Sequence, residues 1–389
     1  MRVCIMNTKM DMVISRREFL KKSTLVGTGM LMYASGCINV FERNETTTTL
    51  ENVGLKEAMY YEQLGNEIVR CKLCPNGCVI SNDNRGVCGV RINKGGGLYT
   101  LAYENPCAAH NDPIEKKPLF HFLPGSYAFS IAIAGCPMRC RFCQNWQISQ
   151  SLPDETKNIE MSCKDVVDIA KRYNARSVAY TYTEPTSFYE YMYDTAKIAK
   201  RNGIKNVIVT CGYINEEPLR ELCRYLDGGN VNLKMFSDEV IGKLSNGRME
   251  PILNTILTLN EEKVWFEITY LIIPGWSDDV EQIKNLVKWM EDNLGLNVPL
   301  HFLRFMPAYK MKNTPPTPLK TMERAYEIAK SNGLNYVYLG NVARTGRENT
   351  YCPNCGKLII ERSGFFVTKN YINNNRCPFC GMRIEGYWK

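Results

Sequence analysis

Between residues 127 and 340 the chain alternates short β-branched runs with amphipathic stretches, and this limits its fold more than any other feature of its 389 residues. Candidate strands are Tyr127–Ala134, Ser177–Tyr182, Asn206–Thr210, Val231–Met235, Val264–Ile272, Pro299–Phe305 and Tyr336–Leu339. Apolar residues at helical spacing lie between them, over Lys164–Tyr173, Ser187–Asn202, Glu216–Tyr225, Ser237–Leu244, Pro251–Asn260, Asp279–Asn293 and Thr321–Asn332. Regular strand–helix alternation predicts parallel strands joined by helical crossovers. Six or seven such units predict an α/β fold, a partial (βα)6-type barrel. In that architecture the working residues gather at the C-terminal ends of the strands.

The loop after the first strand carries Cys136, Cys140 and Cys143 at C-x3-C-x2-C spacing, within Ala134–Trp146. Four thiolates would close a tetrahedral shell around a structural metal, whereas three leave a position open. On a cubane iron–sulfur cluster, three thiolates fix three irons and leave the fourth for another ligand. Phe142, just before the last cysteine, gives the loop an apolar side that can shield a cluster from water. A zinc loop is the plainer alternative.

Cysteine usage extends the argument. Eleven of the seventeen cysteines fall in three sets with metal-ligand spacing; Cys4, Cys37, Cys107, Cys163, Cys211 and Cys223 are left over. Clustered C-x2-C pairs in a long chain argue for metal sites in a reducing environment rather than for disulfides. Cys71, Cys74, Cys78 and Cys88, with Pro75, Gly77, Gly86 and Gly89 turning the chain between them, suit a tetrahedral zinc site. They suit a second, fully ligated iron–sulfur cluster equally, and the spacing does not separate the two; zinc leads narrowly. Cys352, Cys355, Cys377 and Cys380 form two C-P-x-C-G knuckles separated by hairpin-like sequence, which predicts a zinc ribbon with a closed, structural shell. The composition is that of a globular protein, 44% hydrophobic and 23% charged. A net charge of +8 without a clustered Lys/Arg stripe gives no expectation of specific nucleic-acid binding.

The three-cysteine loop resembles that of the radical S-adenosylmethionine (SAM) enzymes. The wider match, from about residue 67 onward, resembles their pyruvate formate-lyase activating enzyme-like branch, specifically the AmmeMemoRadiSam system radical SAM enzymes. The resemblance implies a 4Fe-4S cluster on Cys136, Cys140 and Cys143 with SAM on the free iron. Reductive cleavage of SAM then gives a 5′-deoxyadenosyl radical that takes hydrogen from a substrate. It also implies a low-potential donor such as ferredoxin or flavodoxin, possible Memo-like and AMMECR-like functional partners, and, by analogy with the activases, a protein or peptide substrate. Glu184, in Tyr180–Thr186, resembles the acceptor for the SAM amino group; its plainer reading is a helix cap. Ile273, Pro274 and Gly275 resemble the adenine-side loop, and Lys234 is a candidate contact to the SAM carboxylate or the substrate. His301, at the start of the sixth strand, is a candidate for the substrate pocket. Two positions depart from the pattern: Cys211 stands where relatives read Asn, and Asn232 where the activases carry Asp. His121 is expected to pack or hydrogen-bond, with no catalytic role.

The expected organisation is a leader over 1–37, a linker over 38–66 that turns weakly helical at Leu55–Leu64, and a Cys-rich module with its connecting loop over 67–125. The barrel spans 126–340 and the ribbon 341–389. Ser15-Arg16-Arg17-Glu18-Phe19-Leu20-Lys21 matches the twin-arginine export consensus, and Ala34-Ser35-Gly36-Cys37 resembles a lipoprotein box. The chemistry favours the cytoplasm; the leader keeps export or membrane anchoring open. Two rival functions are a radical enzyme modifying RNA and a non-catalytic iron–sulfur or zinc adaptor, the latter expected to close every metal shell.

Overall fold

The computed structural model describes residues 38–39, 55–342 and 345–389. Seven strands succeed one another: β1 (Tyr127–Ala132), β2 (Ser177–Tyr180), β3 (Lys205–Thr210), β4 (Gly228–Lys234), β5 (Trp265–Ile272), β6 (Leu300–Arg304) and β7 (Val337–Gly340). The crossovers carry α1 (Cys163–Arg172), α2 (Tyr189–Arg201), α3 (Glu216–Cys223), α4 (Asp238–Ser245), α5 (Met249–Glu261), α6 (Val280–Leu294) and α7 (Leu319–Ser331). Each strand pairs in parallel with the next, from Ala128 beside Ser177 to Leu303 beside Gly340. β7 does not return to β1, so the sheet is open, as a partial barrel requires. The free edge of β1 is covered by Ala108–Pro113, antiparallel to it, and then by Ile38–Asn39.

Local sequence explains these elements. β1 and β2 are buried on both faces, hence their nearly unbroken apolar runs. Ser162 and Asp165 close a reciprocal capping box at the start of α1. The Asp279 carboxylate accepts from the Gln282 N–H at 2.9 Å to start α6, which ends at Gly295 with φ +75°.

Along β5, Phe266, Ile268 and Tyr270 join the main core while Glu267 and Thr269 point to the opposite face, as strand alternation demands. At the strand beginnings that inner face is filled by the connecting segment: Leu119, Phe122 and Leu123 pack on Ala128, Ala179 and Val207. A side chain at Gly228 would lie 2.8 Å from the Phe122 ring, so only glycine leaves room. Burying Phe122 contributes about 2 kcal/mol of transfer free energy.

The ribbon strands Thr350–Tyr351, Leu358–Ser363 and Phe366–Asn370 form a small antiparallel sheet. It docks on the barrel through a cluster of Phe120, Tyr336 and Tyr338 with Cys352, Ile359 and Cys377. A directed chain of hydrogen bonds crosses this junction. Arg362 donates to Thr350 Oγ1 at 2.8 Å, and Thr350 Oγ1 lies 2.9 Å from the Tyr338 hydroxyl. His121 Nδ1 is 2.7 Å from the Glu385 carbonyl, which can only accept, so Nδ1 carries the proton. Nε2 therefore accepts from Tyr338 at 2.6 Å, and Tyr338 in turn accepts from Thr350.

Two expectations are corrected. Lys56–Glu57 and Tyr61–Gly65 are strands, paired with Tyr99–Thr100 and Ile68–Cys71, where the sequence suggests weak helix in a tether. Their partners exist only in the folded module, and Asn66 and Glu67, at φ 49° and 55°, turn the hairpin. Ala108–Pro113 is likewise a sheet strand rather than loop; Pro113, with no N–H to donate, sits at its end. The chain from Ile38 onward forms one compact unit. The leader over 1–37 and most of the tether lie outside the described residues. Among those described, no helix is long and apolar enough to cross a membrane.

Candidate active site

The loop at the end of β1 is fastened from several sides. The Gly135 N–H donates to the Ile148 carbonyl at 2.9 Å. The N–H groups of Arg139 and Arg141 donate to the carbonyls of Ser245 and Leu244 at 2.9 and 2.8 Å, satisfying the open end of α4. Lys310, beyond β6, donates its N–H to the Arg141 carbonyl at 2.9 Å, and Trp146 stacks on Tyr309 with centroids 5.3 Å apart. Cys136 and Cys140 are buried and Cys143 partly so. Burial pushes the Cys136 thiol far up, with Cys140 and Glu184 adding to it. Burial also raises Cys140, against the opposing pull of the Lys234 ammonium. Cys136 and Cys140 thus favour the thiol form until a metal displaces the protons.

The neighbouring strand ends converge here. The buried Glu184 follows β2: its Oε1 accepts from Thr210 Oγ1 at 2.5 Å and Thr186 Oγ1 at 2.9 Å, and its Oε2 accepts from the Cys211 N–H at 2.7 Å. It also caps the short turn Pro185–Phe188 through the Thr186 N–H at 3.4 Å, so the capping role read from sequence is present. Two lone pairs per carboxylate oxygen leave Oε2 able to accept one more hydrogen bond. Cys211 is buried, and burial followed by Glu184 keeps its thiol protonated. Lys234 ends β4 at φ 67° beside a β-bulge, which turns its side chain toward the loop. Its Nζ lies 5.9 Å from the Phe142 ring centroid and 3.3 Å from Asn232 Oδ1. After β5, the Ile273 N–H donates to Ser277 Oγ at 2.8 Å and the Gly275 N–H to Asp278 at 2.8 Å. Pro274 has no N–H, so this loop offers a base no uncommitted backbone donor from Ile273–Gly275.

Residues 130–289 match the family model described as the Radical SAM superfamily. The chain is 45% identical over 333 residues to uncharacterized protein MJ0808 of Methanocaldococcus jannaschii, covering 85% of this chain and 99% of that one. It is 27% identical over 221 residues to pyruvate formate-lyase 1-activating enzyme of Escherichia coli, covering 52% of this chain and 89% of that one. The chain belongs to the radical SAM superfamily. Within the superfamily it falls in the pyruvate formate-lyase activating enzyme-like branch. A solved radical SAM methyltransferase from Sphaerobacter thermophilus superimposes with a TM-score of 0.46 at 14% identity, covering 78% of this chain and 81% of that one.

A radical SAM enzyme implies a 4Fe-4S cluster and SAM, and the donor set fits. Sulfurs about 2.3 Å from a single tetrahedral ion stand about 3.8 Å apart. The ribbon meets this geometry: Cys352 and Cys380 place their Sγ atoms 3.6 Å apart, Cys355 and Cys377 3.8 Å, and all four lie within 4.8 Å of one another. Among the described residues the ribbon cysteines gather as a group that one ion could hold, whereas Cys136, Cys140 and Cys143, like Cys71, Cys74, Cys78 and Cys88, do not form such a group. Cluster ligands, each on its own iron, stand apart in this way.

His301 stands at the start of β6 as the sequence suggests, but its surroundings are not those of an open substrate pocket. It is the second residue of β6, buried near the strand beginnings, with Nε2 2.6 Å from Glu267 Oε2. Phe120 meets its ring edge-on at 4.8 Å and Tyr338 stacks on it at 5.1 Å. Glu267 also accepts the N–H groups of Phe120 and His121 at 3.0 and 2.7 Å. The ring is thus part of the plug that closes the base of the barrel, not a group facing substrate. Sequence reading missed Thr210, whose hydroxyl fixes Glu184, and Ser277, which ties off the Ile273 turn. Only the place of Thr210 at the end of β3 and of Ser277 in the loop after β5 hints at either role.

Proposed function

We propose that this radical SAM enzyme holds its 4Fe-4S cluster on Cys136, Cys140 and Cys143, cleaves SAM reductively and directs hydrogen abstraction from a protein or peptide substrate. The observation that carries this is a three-thiol loop that does not gather as a single-ion site, with Glu184 and Lys234 arriving from β2 and β4. When bound, the cluster and SAM supply an electron and a 5′-deoxyadenosyl radical. The chain's own part is to bind, orient and keep out water. Glu184, already aligned by Thr210 and the Cys211 N–H, accepts the SAM ammonium on Oε2. Lys234 pairs with the SAM carboxylate or a substrate carbonyl, and Phe142 shields the loop. The buried Ile273 side chain covers the adenine face, while the base edge meets carbonyls or side chains, since the nearby N–H groups are spent.

A protein substrate is carried over from the relative named as an activating enzyme; a flavodoxin- or ferredoxin-type donor is what the sequence resemblance implies. Memo-like and AMMECR-like proteins are the functional partners suggested by the sequence resemblance. Zinc on Cys352, Cys355, Cys377 and Cys380 holds the ribbon together and takes no part in the chemistry. The test is anaerobic reconstitution, reduction in the presence of SAM, and measurement of 5′-deoxyadenosine and methionine. Cys140→Ala should abolish both products; equal yields from it and the wild type overturn the assignment.

A further inference from the structure

We propose that Cys71, Cys74, Cys78 and Cys88 ligate a second, fully thiolate-coordinated iron–sulfur cluster, packed directly behind the SAM-cluster loop. The four thiols ring a partly enclosed pocket whose other walls include Arg91, Pro137, Thr186 and Ser187. A single zinc draws its sulfurs into contact around it, as the ribbon of this same molecule does, whereas these four do not gather as a group that one ion could hold. In this the set is like the three-cysteine loop and unlike the ribbon. A buried cation marks the place as one for an anionic metal–thiolate centre: Arg91 is 1% exposed, directs Nη1 toward Cys71 Sγ at 3.8 Å, and has a buried Nε with no partner. Its ion pair with the buried Glu190 fixes the guanidinium there. Arg91 thus faces the negative charge that four thiolates and a cluster core place in the pocket.

The two sites share walls. Asn76 Nδ2 donates to the Pro137 carbonyl at 3.1 Å, and Arg139 donates to the Val87 carbonyl. A Cβ on Gly135, the residue before Cys136, would lie 2.6 Å from the Cys88 carbonyl oxygen. Thr186, whose hydroxyl donates to Glu184 at 2.9 Å, lines the pocket as well. With four thiolates the shell is closed, so no iron there is free for a nucleotide, and such a cluster can only carry an electron.

The inference rests on the three-cysteine reading only through the iron count. Anaerobically reconstituted wild-type chain should hold about eight irons, about eight sulfides and about one zinc. The Cys136→Ala/Cys140→Ala/Cys143→Ala variant should keep about four irons, with an EPR signal after reduction that SAM does not alter. Cys78→Ala/Cys88→Ala should keep about four irons whose signal SAM does alter. Wild type with about four irons and about two zincs overturns the proposal, as does a triple variant holding zinc and no iron. If Cys78→Ala/Cys88→Ala does not fold, the wild-type and triple-variant counts still decide. A triple variant that keeps all the iron of the wild type, at about four per chain, upholds the second cluster while defeating the SAM-cluster assignment.

Discussion

Replacing Glu184 by Gln separates its capping role from its proposed grip on SAM. The amide has the shape of the carboxylate and can turn its oxygen toward the Cys211 N–H, keeping that 2.7 Å bond. Its NH2 then faces Thr210 and Thr186, whose hydroxyls rotate to accept instead of donate. The long 3.4 Å cap from the Thr186 N–H is given up and two charge-assisted hydroxyl bonds become neutral ones, so the fold should lose about 1–3 kcal/mol. The SAM ammonium loses a charged acceptor and meets an amide NH2 or a neutral oxygen. A hydrogen bond to a charged group contributes about 1.5–3 kcal/mol, which is a weakening of SAM binding by about 10- to 150-fold. Anaerobic titration calorimetry of reconstituted wild type and Glu184→Gln, matched in iron content, measures it directly. A SAM Kd within about twofold of wild type, with iron content intact, refutes the assignment and leaves Glu184 as a cap.

Other predictions follow from the same geometry. Burial lowers His121 to about 4 from its ordinary 6.5, with Glu267 and the Glu385 carbonyl opposing and Arg362 and His301 assisting. The unfolded chain takes up a proton as pH falls below about 6.5 while the folded one does not until about 4. Stability present above 6.5 is therefore lost across that window, by about 3 kcal/mol. Subtracting the stability of His121→Asn from that of wild type at each pH should show this loss, and a difference constant from pH 7.5 to 4 rules it out. Cys355→Ala should empty the ribbon of zinc and lower the melting temperature by about 4 °C for a loss of ~3 kcal/mol, while 5′-deoxyadenosine formation at low temperature stays within about twofold of wild type. Gly135→Ala would place a Cβ 2.4 Å from Val90 Cγ2 and 2.6 Å from the Cys88 carbonyl at φ +98°. It should cost about 3 kcal/mol in urea unfolding and lower iron retention; an unchanged midpoint would show that the two loops do not touch as described.

The strands and helices of the barrel were legible because their signals are local: apolar residues at period two or near four, cut by glycine, proline and capping residues. All seven strands and the helices between them stand where periodicity predicts, and the cysteine loop sits at a strand end as the alternation implies. What failed was pairing at a distance. Tyr61–Gly65 and Ala108–Pro113 are strands because partners across the sheet accept their hydrogen bonds, and nothing within either stretch records that partner. His301 misled for the same reason, since its position on β6 was visible but the plug that meets it, Phe120 and His121, comes about 180 residues earlier.

Sequence alone determined which residues can bind metal and in what order the barrel is wound, because ligand spacing and hydrophobic period are written along a few neighbouring residues. Only the folded structure decided how far apart the sulfurs of each cysteine set stand, which separates the ribbon from the other two. It also decided that Thr210 and the Cys211 N–H aim Glu184, and that Gly135 leaves space for the Cys88 carbonyl. Those are distances between segments remote in the chain, fixed when the sheet curls and its loops meet at one end.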